Sequence, residues 1–264
     1  MLSVRRAIFL VTVFICAAAA ASAQTRIPQQ LSQDDEVDGF YAGSFKGKDV
    51  LPYRLFIPDG YDARMSYPLI IWLHGTGGAG RDNWRQIIDD QVPGTHTWTS
   101  RENQTRHPAF VLAPQAPGSW SAEAGGRVAT TLSPPLQSVL GLLDMLERTY
   151  AIDPHRVYIS GQSDGGFGVW RLVTAAPERF AAAIVLCGGA EAAAVPRAAS
   201  IPVWIFQGDR DPLVPVASTR QLVAALTKAG GHPKYTEYRG VGHEVWIRAF
   251  SEPGLVDWLF AQHN

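Results

Sequence analysis

Arg156-Val157-Tyr158-Ile159-Ser160-Gly161-Gln162-Ser163-Asp164-Gly165-Gly166 decides the reading of this chain. Its first five residues have the β-branched, apolar character of a buried strand, and Gly166 to Ala176 reads as a helix stopped by Pro177. Between them lies Gly-x-Ser-x-Gly, Gly161 to Gly165. A backbone that passes from strand to helix so abruptly strains the central serine and presents its hydroxyl at the bend. Small residues two places before and after it are then required, because a side chain there would strike the neighbouring strand or helix. The pentapeptide alone is weak, and its setting makes it specific.

Outward from this turn, strands and helices alternate. Leu69-Ile70-Ile71-Trp72-Leu73, Phe110-Val111-Leu112-Ala113, Ala183 to Cys187 and Val203 to Gln207 are continuous apolar runs, the mark of strands covered on both faces. Tyr53 to Ile57 alternates as an edge strand does, and Tyr235 to Tyr238 is a last short strand. A helix is expected from about Pro135 to Tyr150, with Leu136, Val139, Leu140, Leu143 and Leu146 on one stripe, and amphipathic helices over 216–229 and 255–262. The alternation predicts an α/β fold over 46–264, a mostly parallel central sheet flanked by helices. The less regular insert between Asp82 and His107 reads as a substrate-binding loop.

The N-terminus has a different character. Arg5 and Arg6, the apolar run Ala7 to Ala20 and the small-x-small Ala21-Ser22-Ala23 form a secretory signal peptide over residues 1–23. The polar stretch 24–45 reads as an N-terminal extension that packs on the edge of the domain. Export to the periplasm or the medium is therefore expected. Cys16 falls in the leader, which leaves Cys187 without a disulfide partner and reads it as a buried small hydrophobe. The net charge of −1 and scattered basic residues argue against nucleic acid as a partner, and no second apolar stretch approaches the length of a membrane span.

A serine hydroxyl is a weak nucleophile and needs a base, an orienting acid and donors for an oxyanion. Beyond Ser163 the chain offers Gly208-Asp209-Arg210-Asp211-Pro212 after one strand and Gly240-Val241-Gly242-His243 after the next. Ser163, Asp211 and His243 would thus lie at strand C-terminal ends, on the edge where parallel sheets hold ligands. The turn pattern favours Asp211 as the acid, with Asp209 left to brace the turn through backbone N–H groups. After the strand Leu69 to Leu73 comes His74-Gly75-Thr76-Gly77-Gly78. The backbone N–H groups of Thr76 and Asp164 are the expected oxyanion donors. His74, Gln162, Trp120 and Trp246 stand near these motifs and are candidates to line a substrate pocket. Gly75 to Gly80 also satisfies G-x-G-x-x-G, yet no acidic residue follows in Thr95 to Ser100 to hold a ribose. No cofactor is expected, and the histidines lack metal-ligand spacing.

With these residues in place, the chain resembles the α/β-hydrolases, and more narrowly the exported esterase and predicted-peptidase group related to polyhydroxybutyrate depolymerases and feruloyl esterases. The resemblance runs from about Leu51 to Phe260 and rests on Pro68 to Gly75, Asp153 to Gly161, Tyr235 to Tyr238 leading to His243, Trp246 and the closing Trp258-Leu259-Phe260. It implies an acyl-enzyme on Ser163, with His243 and Asp211 completing the triad. The family usually carries an apolar residue after the serine and often Leu before it. Here Asp164 and Gln162 stand there. A carboxylate aimed at the oxyanion would oppose its charge, whereas the first turn of a helix favours an acid pointing elsewhere. The leading expectation is a serine carboxylesterase acting on small or oligomeric esters of short-acyl or aryl (feruloyl) type. A peptidase or a polyester depolymerase on the same triad, or a non-catalytic binding protein on this scaffold, are the competing readings.

Overall fold

The computed structural model describes residues 32–121 and 131–264. The expected signal peptide lies outside the described residues, as does the stretch 122–130.

One sheet of nine strands organises the chain. In order of sequence these are β1 (Ser32–Val37), β2 (Phe40–Lys46), β3 (Val50–Phe56), β4 (Tyr67–Leu73), β5 (Phe110–Pro114), β6 (Ile152–Gln162), β7 (Ala182–Leu186), β8 (Val203–Gly208) and β9 (Lys234–Tyr238). Their spatial order is β1-β2-β3-β5-β4-β6-β7-β8-β9. From β5 to β9 every neighbouring pair is parallel, while β1, β2 and β3 join antiparallel. The expected mostly parallel sheet is thus present, with an antiparallel flank.

That flank gives the extension a definite place and corrects one expected strand position. Part of the polar stretch 24–45 belongs to the sheet, since β2 pairs with β3 in register from Phe40↔Phe56 to Lys46↔Val50. Asp38 and Gly39 take φ of 50° and 80°, the left-handed pair of a tight hairpin turn between β1 and β2. The strand expected at an edge, β3, is consequently internal.

The helices are α1 (Val92–Thr99), α2 (Arg101–Arg106), α3 (Pro134–Thr149), α4 (Asp164–Ala175), α5 (Val216–Lys228), α6 (Trp246–Ala249) and α7 (Leu255–Phe260). Alternation along β4 divides the core in two. Leu69, Ile71 and Leu73 pack with Leu136 and Leu143 of α3, Val169 and Leu172 of α4, and Leu222 of α5. Ile70 and Trp72 pack on the other side with Trp98 of α1, Trp246 of α6 and Leu259 of α7. Helix α3 starts at Ser133, whose hydroxyl accepts the Leu136 N–H, with Pro134 in the first turn where its missing donor costs nothing. Its buried stripe is Leu136, Val139, Leu142, Leu143 and Leu146, with Leu140 only partly covered.

The insert 82–107 is more ordered than its sequence suggests. It forms two short 3-10 turns, Arg85–Ile87 and Asp89–Gln91, then α1 and α2. Gly94 lies flat on Trp72, where a Cβ would come within 2.1 Å of the indole. Most of this segment is therefore a structural layer over the sheet.

Candidate active site

The serine turn is built by steric exclusion. Ser163 sits at φ 51° and ψ −118°, a strained conformation for a residue with a side chain. A Cβ on Gly165 would lie 2.0 Å from the Leu73 carbonyl oxygen, and one on Gly161 would lie 2.6 Å from the Gly165 carbonyl carbon. Beyond the pentapeptide, a Cβ on Gly166 would stand 2.8 Å from the Gly188 Cα, so α4 approaches the chain after β7 through a pair of glycines. The Ser163 N–H donates to the Leu186 carbonyl at 2.8 Å and ties the bend to β7.

Three strand ends deliver the charge relay. His243 follows β9 and Asp211 follows β8, and the His243 Nδ1–H donates to Asp211 Oδ2 at 2.7 Å. That bond fixes the tautomer, leaving Nε2 to accept the Ser163 hydroxyl at 2.7 Å. The Asp211 side chain is wholly buried, while His243 is 13% exposed. Burial alone would raise the Asp211 pKa. The Val214 N–H, His243 and the Leu213 N–H outweigh it and hold the carboxyl below its ordinary value. Gly208 lets the two loops close: a Cβ there would lie 2.2 Å from the Gly242 carbonyl oxygen. Asp209 takes no part in the relay, and its Oδ1 accepts the Gly240 N–H at 2.6 Å, bracing the histidine loop.

Sequence reasoning did not place Gln207 or Cys187 beside this relay. Gln207, the last apolar-run residue of β8, is fully buried and donates from Nε2 to Asp211 Oδ2 at 2.9 Å, while its Oε1 accepts the Thr219 hydroxyl. A glutamine inside an otherwise apolar strand was the available signal. Cys187 is indeed buried, but it has φ 43° and its Sγ lies 4.0 Å from His243 Nε2. Cys187, Asp211 and His243 form the group of potential metal donors found among the described residues, within 4.8 Å of one another. Both imidazole nitrogens are already engaged by Asp211 and Ser163.

The glycine-rich loop after β4 is a single 3-10 turn, Thr76–Gly78, rather than the mouth of a dinucleotide-binding helix. Gln91 holds it through Oε1, which accepts the Gly75 N–H at 2.8 Å. The N–H groups of Thr76 and Asp164 open the 3-10 turn and α4, positions that have no acceptor within their own helix. The Asp164 carboxylate is occupied elsewhere: Oδ1 accepts the Ser119 hydroxyl at 2.5 Å and the Ser121 hydroxyl at 3.2 Å, and Oδ2 accepts the Trp120 N–H at 2.8 Å.

The pocket candidates His74, Gln162 and Trp120 are fully buried. His74 Nδ1–H donates to the Gly75 carbonyl at 2.7 Å and Nε2 accepts the Ala116 N–H at 3.0 Å, which defines a neutral ring. Burial pushes its pKa down to about 4. Trp120 donates its indole N–H to the His74 carbonyl at 3.0 Å, and Gln162 donates to the Asp90 carbonyl at 3.2 Å behind Gly75. Trp246 is 5% exposed and meets the His243 ring edge-on at 5.6 Å, supporting the imidazole. For His74, Trp120 and Gln162 the backbone partners stand 42, 46 and 72 residues away, which the neighbouring sequence does not show.

A mostly parallel sheet carrying serine, acid and histidine, in that order, after the strands β6, β8 and β9 defines the α/β-hydrolase class. Within that class the chain belongs to the Esterase family ("Putative esterase"), whose model matches residues 48–253. It is similar to "Probable feruloyl esterase C" of Aspergillus terreus (strain NIH 2624 / FGSC A1156), 27% identical over 166 residues that cover 62% of this chain and 56% of that protein. Among solved structures it matches a thermostable esterase with 38% identity and a TM-score of 0.81, covering 86% of this chain and 64% of that one. The chain thus spans less than two thirds of either relative. A CE1 ferulic acid esterase from Anaeromyces mucronatus, solved with ferulic acid, shares the fold at 14% identity and a TM-score of 0.60, covering 89% of this chain and 95% of that one.

Proposed function

We propose that this chain is an exported serine carboxylesterase acting on esters of short-acyl or aryl-acyl type. The observation that carries the reading is the unbroken relay Asp211 Oδ2, His243 Nδ1, His243 Nε2, Ser163 Oγ, with both links at 2.7 Å. Ser163 Oγ attacks the ester carbonyl carbon while its proton passes to His243 Nε2, and Asp211 stabilises the imidazolium. The N–H groups of Thr76 and Asp164 receive the oxyanion, each worth about 3 kcal/mol of transition-state stabilisation. Collapse expels the alcohol with the proton from His243. Water then attacks the acyl-enzyme by the same relay and releases the acid. The names of the feruloyl esterase and esterase relatives support an aryl or simple acyl group, and the leader pattern of residues 1–23 supports export. Among the described residues no helix is long and apolar enough to cross a membrane.

The test is kcat/KM for the chain without its leader on p-nitrophenyl esters of rising acyl length, methyl ferulate and a peptide anilide. Ser163→Ala is expected to lower ester turnover by roughly 10⁴-fold or more. Equal rates for the two proteins would remove Ser163 as nucleophile and favour a binding role. A peptide anilide turned over faster than every ester would make the enzyme a peptidase.

A further inference from the structure

The two proposed oxyanion donors come from different loops, Thr76 after β4 and Asp164 at the start of α4. Their separation must be held within tenths of an ångström for both to reach one oxygen. We propose that Asp164 and Trp120 are positioning residues that lock these two loops into one unit, an inference that rests on the esterase reading above.

Trp120 touches both loops. Its backbone N–H donates to Asp164 Oδ2 at 2.8 Å, and its indole N–H donates to the His74 carbonyl at 3.0 Å, directly before Gly75-Thr76. Its ring also packs on the His74 imidazole, with centroids 4.9 Å apart. His74 in turn holds the Gly75 carbonyl and the Ala116 N–H. Hydrogen bonds therefore run from the acid beside the nucleophile, through one buried tryptophan, to the glycine loop that carries the second donor. On its far side Trp120 meets Gly168 of α4, where a Cβ would lie 3.0 Å from the Trp120 Cβ. The tryptophan is wedged between the helix and the loop.

The same bonds resolve the electrostatic objection to an acid at this position. Ser119, Trp120 and Ser121 give the Asp164 carboxylate three donors and turn it away from its own N–H. The charge sits at the start of α4, where the helix dipole favours it. An apolar residue in this place would leave the Trp120 N–H without the Asp164 acceptor and remove the carboxylate that receives the Ser119 and Ser121 hydroxyls. The acid is thus a clamp for the site, and its charge is spent on the loop.

The experiment measures kcat and KM on a p-nitrophenyl ester, together with affinity for an aryl trifluoromethyl ketone, for Asp164→Ala, Asp164→Asn and Trp120→Phe beside Ser163→Ala. The ketone forms a hemiketal oxyanion on the serine, so its affinity reports donor alignment. Asp164→Ala is expected to lower kcat by roughly 10- to 100-fold and weaken the ketone in proportion, with KM within about threefold of the parent. Asp164→Asn, whose amide oxygen still accepts the Trp120 N–H, restores most of the loss. Trp120→Phe, which keeps the ring and removes the indole donor, shows a smaller loss of the same kind. Circular dichroism and a melting curve show whether each variant is folded. If Asp164→Ala does not fold, Asp164→Asn and Trp120→Phe decide the matter: Trp120→Phe at parental kcat and ketone affinity overturns the proposal. A rise in kcat for Asp164→Ala also overturns it, because the carboxylate would then have opposed the oxyanion. Should Ser163→Ala keep its activity, the esterase reading itself fails, a result distinct from either.

Discussion

His74 is the residue whose chemistry is most constrained by burial. It is fully buried, donates from Nδ1 to the Gly75 carbonyl and accepts the Ala116 N–H at Nε2, so protonation would place a second donor against a donor. Desolvation lowers its pKa from 6.5 to about 4. Unfolded chain therefore binds a proton between those values that the folded chain refuses. Stability is flat above pH 6.5 and falls as the pH drops towards 4, by a ceiling of about 3 kcal/mol for the full span. Urea denaturation across that range checks it. His74→Gln, which can still accept the Ala116 N–H, is expected to lose about 2 kcal/mol at neutral pH from lost contacts while showing a shallower acid limb. An unchanged acid limb in the variant would assign the pH dependence to other groups. His74 also marks the limit of sequence reading at this scale. A histidine beside a glycine loop has the same local sequence whether it faces the cleft or the core, and the partner that settles the matter, Ala116, is 42 residues away.

At the scale of elements, the serine turn is governed by backbone against backbone, which leaves no flexible atom to yield. Gly165→Ala would drive a Cβ to 2.0 Å from the Leu73 carbonyl oxygen, forcing β4 and α4 apart. The expected result is a loss of about 3 kcal/mol or more in stability and of roughly 100-fold or more in kcat. Gly118→Ala is the matched control. Among the described residues a Cβ there meets nothing within 4 Å, and its effect should stay within about 0.5 kcal/mol. Thermal melts and single-substrate kinetics on both variants check the contrast, and equal behaviour would refute the steric account. This stringency is also why the core of the site could be read from sequence. The turn demands glycines at fixed offsets, and the relay demands an acid and a histidine after later strands in fixed order, so Ser163, Asp211 and His243 left few alternatives. The parts that were not legible lack such demands. Nothing in the insert 82–107 announces that Gly94 must lie on Trp72, because that contact depends on how the segment crosses the sheet.

For the whole molecule, the question is how far the sheet extends beyond the strands that carry the relay. Polar composition hid β1 and β2, although Asp38-Gly39 between Val37 and Phe40 was a hairpin signal in plain view. In the folded chain this hairpin is part of the core. Phe40 is fully buried and tilts against Phe56 with ring centroids 5.9 Å apart. Arg54 of β3, only 2% exposed, reaches the carbonyls of Phe40 at 3.4 Å and Asn83 at 2.6 Å, joining the hairpin to the loop ahead of α1. Without β2, β3 would become an unprotected edge and Arg54 would lose acceptors on that side. Phe40→Ala is therefore expected to cost about 3–5 kcal/mol in urea denaturation, as a buried phenylalanine in a packed core does. An appended segment lying loosely on a complete domain would lose under about 1 kcal/mol on the same change. Because β2 lies on the far side of β3, β5 and β4 from the serine strand β6, turnover by the folded fraction should stay within about twofold of the parent. Measuring stability and kcat on one preparation separates the outcomes: a large stability loss with intact turnover makes the hairpin a structural part of the hydrolase sheet, and a small one returns residues 32–46 to the status of an extension.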